Sequence, residues 1–246
     1  MILILGSSHD DVLYYETMMT AKRKEILFDR YPVIFGKLFN QEVAVVSEIY
    51  TNYISSIVTS YFIDKFFVIL VVCVGTCIGY SSDSLPLSVA ISGKVTLSDV
   101  NQLAVRPVSI GQIPNGFPTY FDSDSDARDI LFASFAKRTQ TPCFLATYFS
   151  SNTFYTREEQ LEPLKNYGKL TSLDSGVVFD CIYGGVALAC NMNSVSCLAV
   201  KVVESSFGKA IDCQDYSKIL TLYVDIGKAL SGAIGDIGSG DILEGV

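Results

Sequence analysis

The stretch from Phe66 to Gly79 is the most apolar in the chain, and it constrains the fold more than any other feature. It is far shorter than the roughly 20 residues that a membrane-spanning helix needs, and it contains two glycines. An unbroken apolar run of this kind is typical of a β-strand that is covered on both faces, as in a parallel sheet. We therefore expect a buried strand over residues 67–74 that runs into a turn.

Short apolar runs alternate with segments of helical spacing along most of the chain. This alternation indicates an α/β fold with a mostly parallel sheet, and a length of 246 residues suits one large domain. We expect a single domain over residues 1–231, with a central, mostly parallel or mixed, twisted sheet flanked by helices, and a Gly-rich C-terminal tail over residues 232–246. The other expected strands are 1–5, 25–38, 42–47, 87–97, 143–149 and 195–203, and we expect 25–38 and 42–47 to pair as a hairpin. One helix is expected directly after Gly6, and the others cover 49–65, 127–137, 158–167, 180–192 and 216–230.

Net charge, terminal sequence and cysteine spacing argue against several classes of protein. The net charge is −8 and no cluster of Lys and Arg is interleaved with aromatic residues, which argues against a nucleic acid partner. The first residues lack the basic flank and cleavage site of a signal peptide, and no segment is long enough to be a membrane helix. The seven cysteines follow neither a zinc-binding nor a disulfide spacing, and His9 is the only histidine, so no metal site is expected. We expect a cytoplasmic chain with reduced thiols.

Candidate functional residues follow from the topology. In open α/β sheets, binding sites collect at the C-terminal ends of the strands. A ring bound there can stack on an aromatic side chain, while the Asn152 amide hydrogen-bonds its edge. The residues that this rule brings to one cleft are Asp11, Gly75 and Thr76, residues 152–155, Phe179 and Asp180, and Glu204 and Ser205.

Structural roles remain open for most of these residues. Asp11 and Asp180 can each be a helix cap, with no part in chemistry. Phe154 and Tyr155 fit core packing as well as base stacking, and Lys201 fits an ordinary ion pair. His9 fits an exposed loop better than an auxiliary base at the mouth of the cleft.

The order and spacing of several motifs resemble one enzyme family. Ser150–Tyr155 differs only at Asn152 from the Ser-Ser-Asp-Thr-Phe-Tyr of the nucleoside phosphorylase and nucleosidase superfamily. The closest resemblance is to the 5′-methylthioadenosine/S-adenosylhomocysteine nucleosidases, on which the first 105 residues can be aligned without a gap. The other matching segments are Gly6–Val12, Cys73–Gly79, Ile110–Asn115, Val177–Cys181 and Val200–Ser205.

The resemblance implies a role for each matching residue, a small-molecule nucleoside as ligand, a homodimer and no cofactor. In the family, a carboxylate at position 11 activates water and one at position 180 grips the ribose hydroxyls. Ser205 stands where the family has the aspartate that protonates the purine, with Glu204 as a substitute donor beside it. The resemblance implies catalysis for Asp11, Ser205 and Glu204, and ribose binding for Phe179, Asp180, Thr76 and Lys201. It implies base binding for Asn152, Phe154, Tyr155 and Gly75. For Ile110 and Pro114 it implies a part in the 5′-alkylthio pocket of the neighbouring subunit.

The activity that the resemblance implies is hydrolysis of the N-glycosidic bond of a purine nucleoside, such as 5′-methylthioadenosine or S-adenosylhomocysteine. Two alternatives remain: a purine or uridine phosphorylase, and a nucleoside-binding homologue with weakened catalysis. The phosphate-binding arginines of the uridine phosphorylases are absent, because the loop after the first strand has none and Cys73 occupies the second position. Without fixed cations an anionic nucleophile is poorly held, so water is the expected nucleophile.

Overall fold

The computed structural model describes residues 1–81, 84–155, 158–166, 176–207 and 216–238, and within them strands alternate with helices. The strands are Ile2–Gly6 (β1), Thr20–Leu27 (β2), Tyr31–Leu38 (β3), Gln41–Val46 (β4), Leu70–Gly79 (β5), Val89–Leu97 (β6), Phe121–Asp122 (β7), Cys143–Ser150 (β8), Gly176–Asp180 (β9) and Ser196–Ser206 (β10). The helices are His9–Met18 (α1), Asn52–Lys65 (α2), Ser125–Arg138 (α3), Glu162–Asn166 (α4), Tyr183–Asn193 (α5) and Tyr216–Gly238 (α6), with a short 3-10 helix at Glu158–Leu161.

All of the strands belong to one mixed sheet. Their order is β10-β6-β8-β9-β5-β1-β4-β3-β2, with β7 beside β6. β10 also pairs with β5, so β5, β9, β8, β6 and β10 form a closed ring of paired strands. This mixed sheet, flanked by helices, confirms the expected α/β architecture.

β5 is the central strand of the sheet, and its sequence explains why. It pairs in parallel with both β1 and β10, and its end pairs with β9. Every residue from Leu70 to Gly79 is buried except Thr76, which is half-buried. The prediction of a buried parallel strand is therefore confirmed, although the strand continues to Gly79 instead of ending at Val74.

Helices cover both faces of the sheet. Val58 and Phe62 of α2 belong to the apolar core on one face, which α5 also covers. Val12 of α1, Leu131 of α3 and Ile226 of α6 belong to the core on the other face. Each fully buried side chain of this size stabilises the fold by roughly 1.5–3 kcal/mol.

Some boundaries differ from the sequence-based expectation. The segment 25–38 contains a turn, because Phe28 and Asp29 adopt left-handed conformations with φ of 54° and 53°. β9 precedes α5 where only a helix was expected, and the short strand β7 was not expected at all. The expected helix over 158–167 is a 3-10 helix followed by α4, and residue 167 lies outside the described residues.

The end of the domain also differs from the expected boundary at residue 231. α6 continues to Gly238, and Ala233 and Ile234 are buried in the core. Glycines 232 and 235 are contact points, where the helix lies against Arg138 and Phe39 respectively. Residues 232–238 are thus helical, and the rest of the expected tail, 239–246, lies outside the described residues.

We predict that Gly185→Ala destabilises the protein, because there is no room for a β-carbon between α5 and α2 at this glycine. The Gly185 amide donates to Asn52 Oδ1 at 2.9 Å, and a β-carbon would collide with the Asn52 carbonyl oxygen and the Ser55 hydroxyl. Overpacking of this kind lowers the free energy of unfolding by about 1–3 kcal/mol. Urea denaturation measures the change, with Met192→Ala at an exposed position of α5 as the control. Equal midpoints for the two variants would contradict the packing described here.

Candidate active site

A cavity of about 270 Å³ lies at the C-terminal edge of the central strands. It is bounded by residues from strands and loops that the sheet order places side by side. One end of the cavity is aromatic, the middle is charged, and the other end carries hydroxyl groups. The lining residues are Ser7, Tyr50, Thr76, Cys77, Asn152, Phe154, Phe179, Asp180, Cys181, Ile182, Lys201 and Glu204.

Asp180 and Lys201 form a buried ion pair in the middle of this cleft. Lys201 Nζ lies 2.7 Å from Asp180 Oδ2, and the two side chains are 1% and 0% exposed. The same oxygen accepts hydrogen bonds from the backbone amides of Ile182 at 3.3 Å and Tyr183 at 2.9 Å. Asp180 therefore caps the start of α5, and it does so inside the cleft.

The two carboxylate oxygens of Asp180 differ in their hydrogen bonding. Asp180 Oδ1 is buried and has no hydrogen-bond partner among the described residues. A buried polar atom without a partner costs roughly 1–3 kcal/mol. A hydroxyl group that enters the cleft and donates to this oxygen removes that cost.

The charge on Lys201 is maintained by its partner. Burial lowers the pKa of Lys201, but the Asp180 carboxylate together with Cys73 and Cys77 more than offsets this effect, so the pKa is raised above its ordinary value. Burial raises the pKa of Cys73 to about 12 and that of Cys77 well above its ordinary value. Near neutral pH the lysine is an ammonium ion and these two cysteines are thiols, not nucleophilic thiolates.

Asp11 lies in the first turn of α1, beside the same strand ends. Its carboxylate accepts from the Ser8 amide and the Ser8 hydroxyl, each at 2.9 Å. The Ser8 hydroxyl in turn accepts from the Asp11 amide at 3.4 Å, which completes a capping box. A β-carbon at position 75 would lie 2.9 Å from Asp11 Oδ2, and Gly75 has a φ of 134°, a conformation that favours glycine. Gly75 thus lets the carboxylate approach the backbone of β5. Asp11 has the capping role that the sequence left open, although it does not itself line the cavity.

The structure separates Glu204 from Ser205. The pairing of β10 with β5 shifts between Val203, opposite Cys77, and Ser205, opposite Ile78, which leaves Glu204 as the extra residue of a β-bulge. Glu204 lines the cavity and Ser205 does not. The carboxylate at this end of β10 is therefore Glu204, one position before the serine to which the sequence alignment assigned catalysis.

The environment of Glu204 favours its protonated form. Burial raises the pKa of Glu204, and the nearby Asp11 carboxylate raises it further. A hydrogen bond with Thr76 and the charge of Lys201 lower the pKa in part, but the net pKa stays above the ordinary value. Glu204 therefore keeps its proton to a higher pH than an exposed glutamate does.

Asn152 is held with its carbonyl oxygen unpaired. Its backbone amide and its Nδ2 both donate to Asp99 Oδ2, at 2.8 and 3.2 Å. Because Nδ2 is used in this way, the amide orientation is fixed by the network. Asn152 Oδ1 is buried and has no partner in the part of the chain that the structure describes. It is the second acceptor that the cleft offers to a ligand.

The two aromatics after Asn152 have different environments. Phe154 is 55% exposed and lines the cavity. Tyr155 is buried, packs edge-on against Phe179 at 5.3 Å between ring centroids, and does not line the cavity. Phe154 is thus placed to contact a ligand directly, whereas Tyr155 supports the Phe179 wall.

Some of the remaining predicted residues line the cavity and the others lie outside it. Thr76 and Phe179 line the cavity. Ile110 is 3% exposed and packs in the apolar cluster of its own chain, so its side chain is not free to enter a neighbour's pocket. Pro114 is half-buried and still accessible to a neighbouring subunit. His9 lies outside the cavity, with Nδ1 3.4 Å from the Glu16 carboxylate.

Several lining residues were not predicted. Ser7 and Tyr50 follow β1 and β4, so the strand-end rule could have included both. Cys181 and Ile182 come directly after Asp180, whose position was recognised. The contact of Asp99 with Asn152 has no signal in the sequence, because it joins residues that are 53 positions apart.

No metal site or membrane helix is evident in the described part of the chain. None of its groups of His, Cys, Asp and Glu side chains could hold a metal ion. Among the same residues, every helix is too short or too polar to cross a bilayer.

Solved structures of nucleosidases have the same fold. The 5′-methylthioadenosine/S-adenosylhomocysteine nucleosidase from Neisseria meningitidis, in complex with methylthio-immucillin-A, is 16% identical with a TM-score of 0.81, over 96% of this chain and 98% of that one. The enzyme from Campylobacter jejuni is 13% identical with a TM-score of 0.82, over 96% of this chain and 98% of that one. The enzyme from Colwellia psychrerythraea, in complex with adenine, is 19% identical with a TM-score of 0.74, over 95% and 96%. No family model and no curated protein matches the sequence, so these comparisons establish the fold.

We predict that Lys201→Met destabilises the protein by about 3–5 kcal/mol, because it leaves the Asp180 carboxylate buried without a countercharge. The control is Lys228→Met, since Lys228 is half exposed and pairs with Asp225 at 3.3 Å. Loss of such an exposed pair costs about 0–1 kcal/mol. Chemical denaturation compares the two variants. A small, equal loss in both would show that the buried pair does not stabilise the fold as described.

Proposed function

We propose that the protein hydrolyses the N-glycosidic bond of a purine nucleoside and releases the free base. The observation that carries this proposal is the unpartnered Oδ1 of buried Asp180, in a cleft that Phe154 and Glu204 also line. The proposal also draws on the fold, which is that of nucleosidases solved with adenine and with a nucleoside analogue. Their named substrates, 5′-methylthioadenosine and S-adenosylhomocysteine, belong to the proposed class.

Sugar binding is the role proposed for Asp180. The 2′- and 3′-hydroxyls of a ribose donate to Oδ1, while Oδ2 stays fixed by Lys201 and the start of α5. Glycosidic bond cleavage passes through an oxocarbenium-like sugar. A carboxylate that cannot rotate stabilises this positive charge without reorganisation.

Asp11 is proposed to orient the attacking water. Its carboxylate already accepts two hydrogen bonds from Ser8, and an ionised carboxylate has about four acceptor sites. Water donates to a remaining site and adds its oxygen to C1′, and its proton passes to the carboxylate. Because the carboxylate is held in place, the water is oriented toward C1′ before it reacts, and such orientation lowers the barrier.

The base is proposed to bind at the other end of the cleft. Its ring stacks on Phe154, and an exocyclic amine donates to Asn152 Oδ1. Glu204 donates its proton to a ring nitrogen of the purine as the glycosidic bond breaks, so the base leaves neutral. A positioned acid of this kind contributes roughly 10² to 10⁴ in rate.

Phosphorolysis is disfavoured by the charges around the cleft. Lys201 is the only cationic side chain among the described residues that line it, and this cation is already paired with Asp180. The Asp11 carboxylate adds negative charge nearby. A phosphate ion would meet this carboxylate and no free cation, whereas water is uncharged.

We also propose that the protein functions in the cytoplasm as a homodimer that uses the outer face of α2. Tyr53 and Ile57 on this helix are 68% and 53% exposed. A second copy of the chain would remove these apolar side chains from water. Light scattering at micromolar concentration tests this expectation, and a monomer there would contradict it.

We predict that base release is independent of phosphate, because no free cation in the cleft is placed to hold that anion. Free base should form from adenosine or 5′-methylthioadenosine at the same rate with and without phosphate. The measurement is chromatography of the products. A rate proportional to phosphate, with ribose 1-phosphate as product, would refute hydrolysis; tight binding without turnover would instead favour a binding protein.

We predict that Glu204→Gln lowers kcat/KM for purine nucleosides by about 10² to 10⁴, because the amide cannot donate the proton. Ser205→Ala is the matched control and should change the rate little, since Ser205 does not line the cavity. In the wild type, kcat/KM should fall as pH rises through the Glu204 pKa, because only the protonated acid acts. Because the pKa of Glu204 is raised, kcat/KM falls at a higher pH than it would with an ordinary glutamate, whose pKa is near 4.3. A larger loss for Ser205→Ala than for Glu204→Gln would reverse the assignment.

A further inference from the structure

The cleft extends past Asp180 to a second end, where two lining residues, Ser7 and Tyr50, have no role in the proposed chemistry. The sheet order places β8, β9, β5, β1 and β4 in succession. Asn152 and Phe154 follow β8, and Asp180 ends β9. Ser7 follows β1 and Tyr50 follows β4, and both line the cavity. These two residues therefore lie on the opposite side of Asp180 from the proposed base site.

This second end is polar and is organised by one contact. The Tyr50 hydroxyl donates a hydrogen bond to the Glu48 carboxylate. Glu48 has a φ of 66°, an uncommon conformation for a non-glycine residue. Ser7 also lines the cavity, and its hydroxyl lies 3.0 Å from where a β-carbon on Gly75 would be. A ligand group at this end can meet the hydroxyls of Ser7 and Tyr50, and the Tyr50 hydroxyl is bonded to Glu48.

The end is also electronegative. The hydrogen bond with Glu48 raises the pKa of Tyr50, and burial and the Glu48 and Asp11 charges raise it further. Tyr50 is thus a neutral phenol at physiological pH, and its surroundings are anionic. Among the described lining residues, Lys201 is the only cation, and it is paired with Asp180.

We propose that Tyr50, held by Glu48, and Ser7 select a ribonucleoside with a free 5′-hydroxyl over one that carries a 5′-alkylthio group or a 5′-phosphate. The inference rests on the proposed function, because a base at Phe154 and a ribose on Asp180 direct the 5′-carbon toward Tyr50. Substrate choice is then made at the end of the cleft formed after β1 and β4, by two side chains that take no part in breaking the bond.

The chemistry of the three substituents differs at such a site. A 5′-hydroxyl can donate to the Tyr50 oxygen, whose own proton is held by Glu48, and can accept from the Ser7 hydroxyl. A thioether sulfur is only a weak acceptor. When it displaces water from the polar groups of the cleft, those groups lose hydrogen bonds that the sulfur does not replace. A phosphate brings negative charge next to Glu48 and Asp11. A site built to hydrogen-bond a hydroxyl rejects analogues that lack it.

The test compares kcat/KM for adenosine, 5′-deoxyadenosine, 5′-methylthioadenosine and adenosine 5′-monophosphate. We expect the wild type to prefer adenosine over each of the others by about tenfold or more, the equivalent of one hydrogen bond of about 1.4 kcal/mol. Tyr50→Phe should lower the adenosine value by about tenfold and leave the 5′-deoxyadenosine and 5′-methylthioadenosine values nearly unchanged. Tyr31→Phe, which removes the same hydroxyl at the start of β3 outside the cleft, is the control and should change none of them.

Two results would overturn the inference. One is a wild type that cleaves 5′-methylthioadenosine as fast as adenosine, and the other is a Tyr50→Phe variant that slows all substrates equally. Absence of turnover with every nucleoside would contradict the proposed function instead. In that case calorimetric Kd values for the same ligands and variants decide the inference, which predicts the same order of preference and the same loss in Tyr50→Phe.

Discussion

The buried ion pair between Asp180 and Lys201 is the interaction on which the candidate site depends. Removing two charges from water costs several kcal/mol per ion, and close contact with further hydrogen bonds is needed to offset this cost. Here the contact is 2.7 Å, and two amides at the start of α5 donate to the same carboxylate oxygen. One oxygen thus joins β9, β10 and α5, and the other, which has no partner among the described residues, is the atom that we propose to bind the ribose. Stability and the proposed ligand binding therefore depend on different atoms of one side chain.

The backbone around this pair brings more carboxylates to the same cleft. The bulge after Val203 lets Glu204 line the cavity, and the absence of a side chain at Gly75 lets Asp11 approach β5. The two carboxylates experience different surroundings. Asp11 accepts two hydrogen bonds from Ser8, whereas burial raises the pKa of Glu204. Groups whose environments differ in this way are suited to separate base and acid roles.

The sequence predicts the layers of the fold better than it predicts the details of the cleft. The apolar run of β5 and the alternation of strands and helices are local signals, and they led to the correct architecture. β9 was missed because five buried residues merge into the following helical pattern, and the length of α6 was missed because its glycines resemble a tail. The positions of Glu204 and Asn152 depend on strand register and on a distant contact with Asp99. Such contacts form only after the chain has folded.

A structure of the Asp11→Asn variant with bound adenosine tests the central claim most directly, because the variant keeps the shape of the cleft and slows turnover. The account predicts a ribose hydroxyl within hydrogen-bond distance of Asp180 Oδ1, the purine ring against Phe154, and its exocyclic amine on Asn152 Oδ1. It also predicts that Lys201 stays in contact with Asp180 Oδ2. A nucleoside bound elsewhere, or one bound in the cleft with no contact to Asp180, would contradict the account.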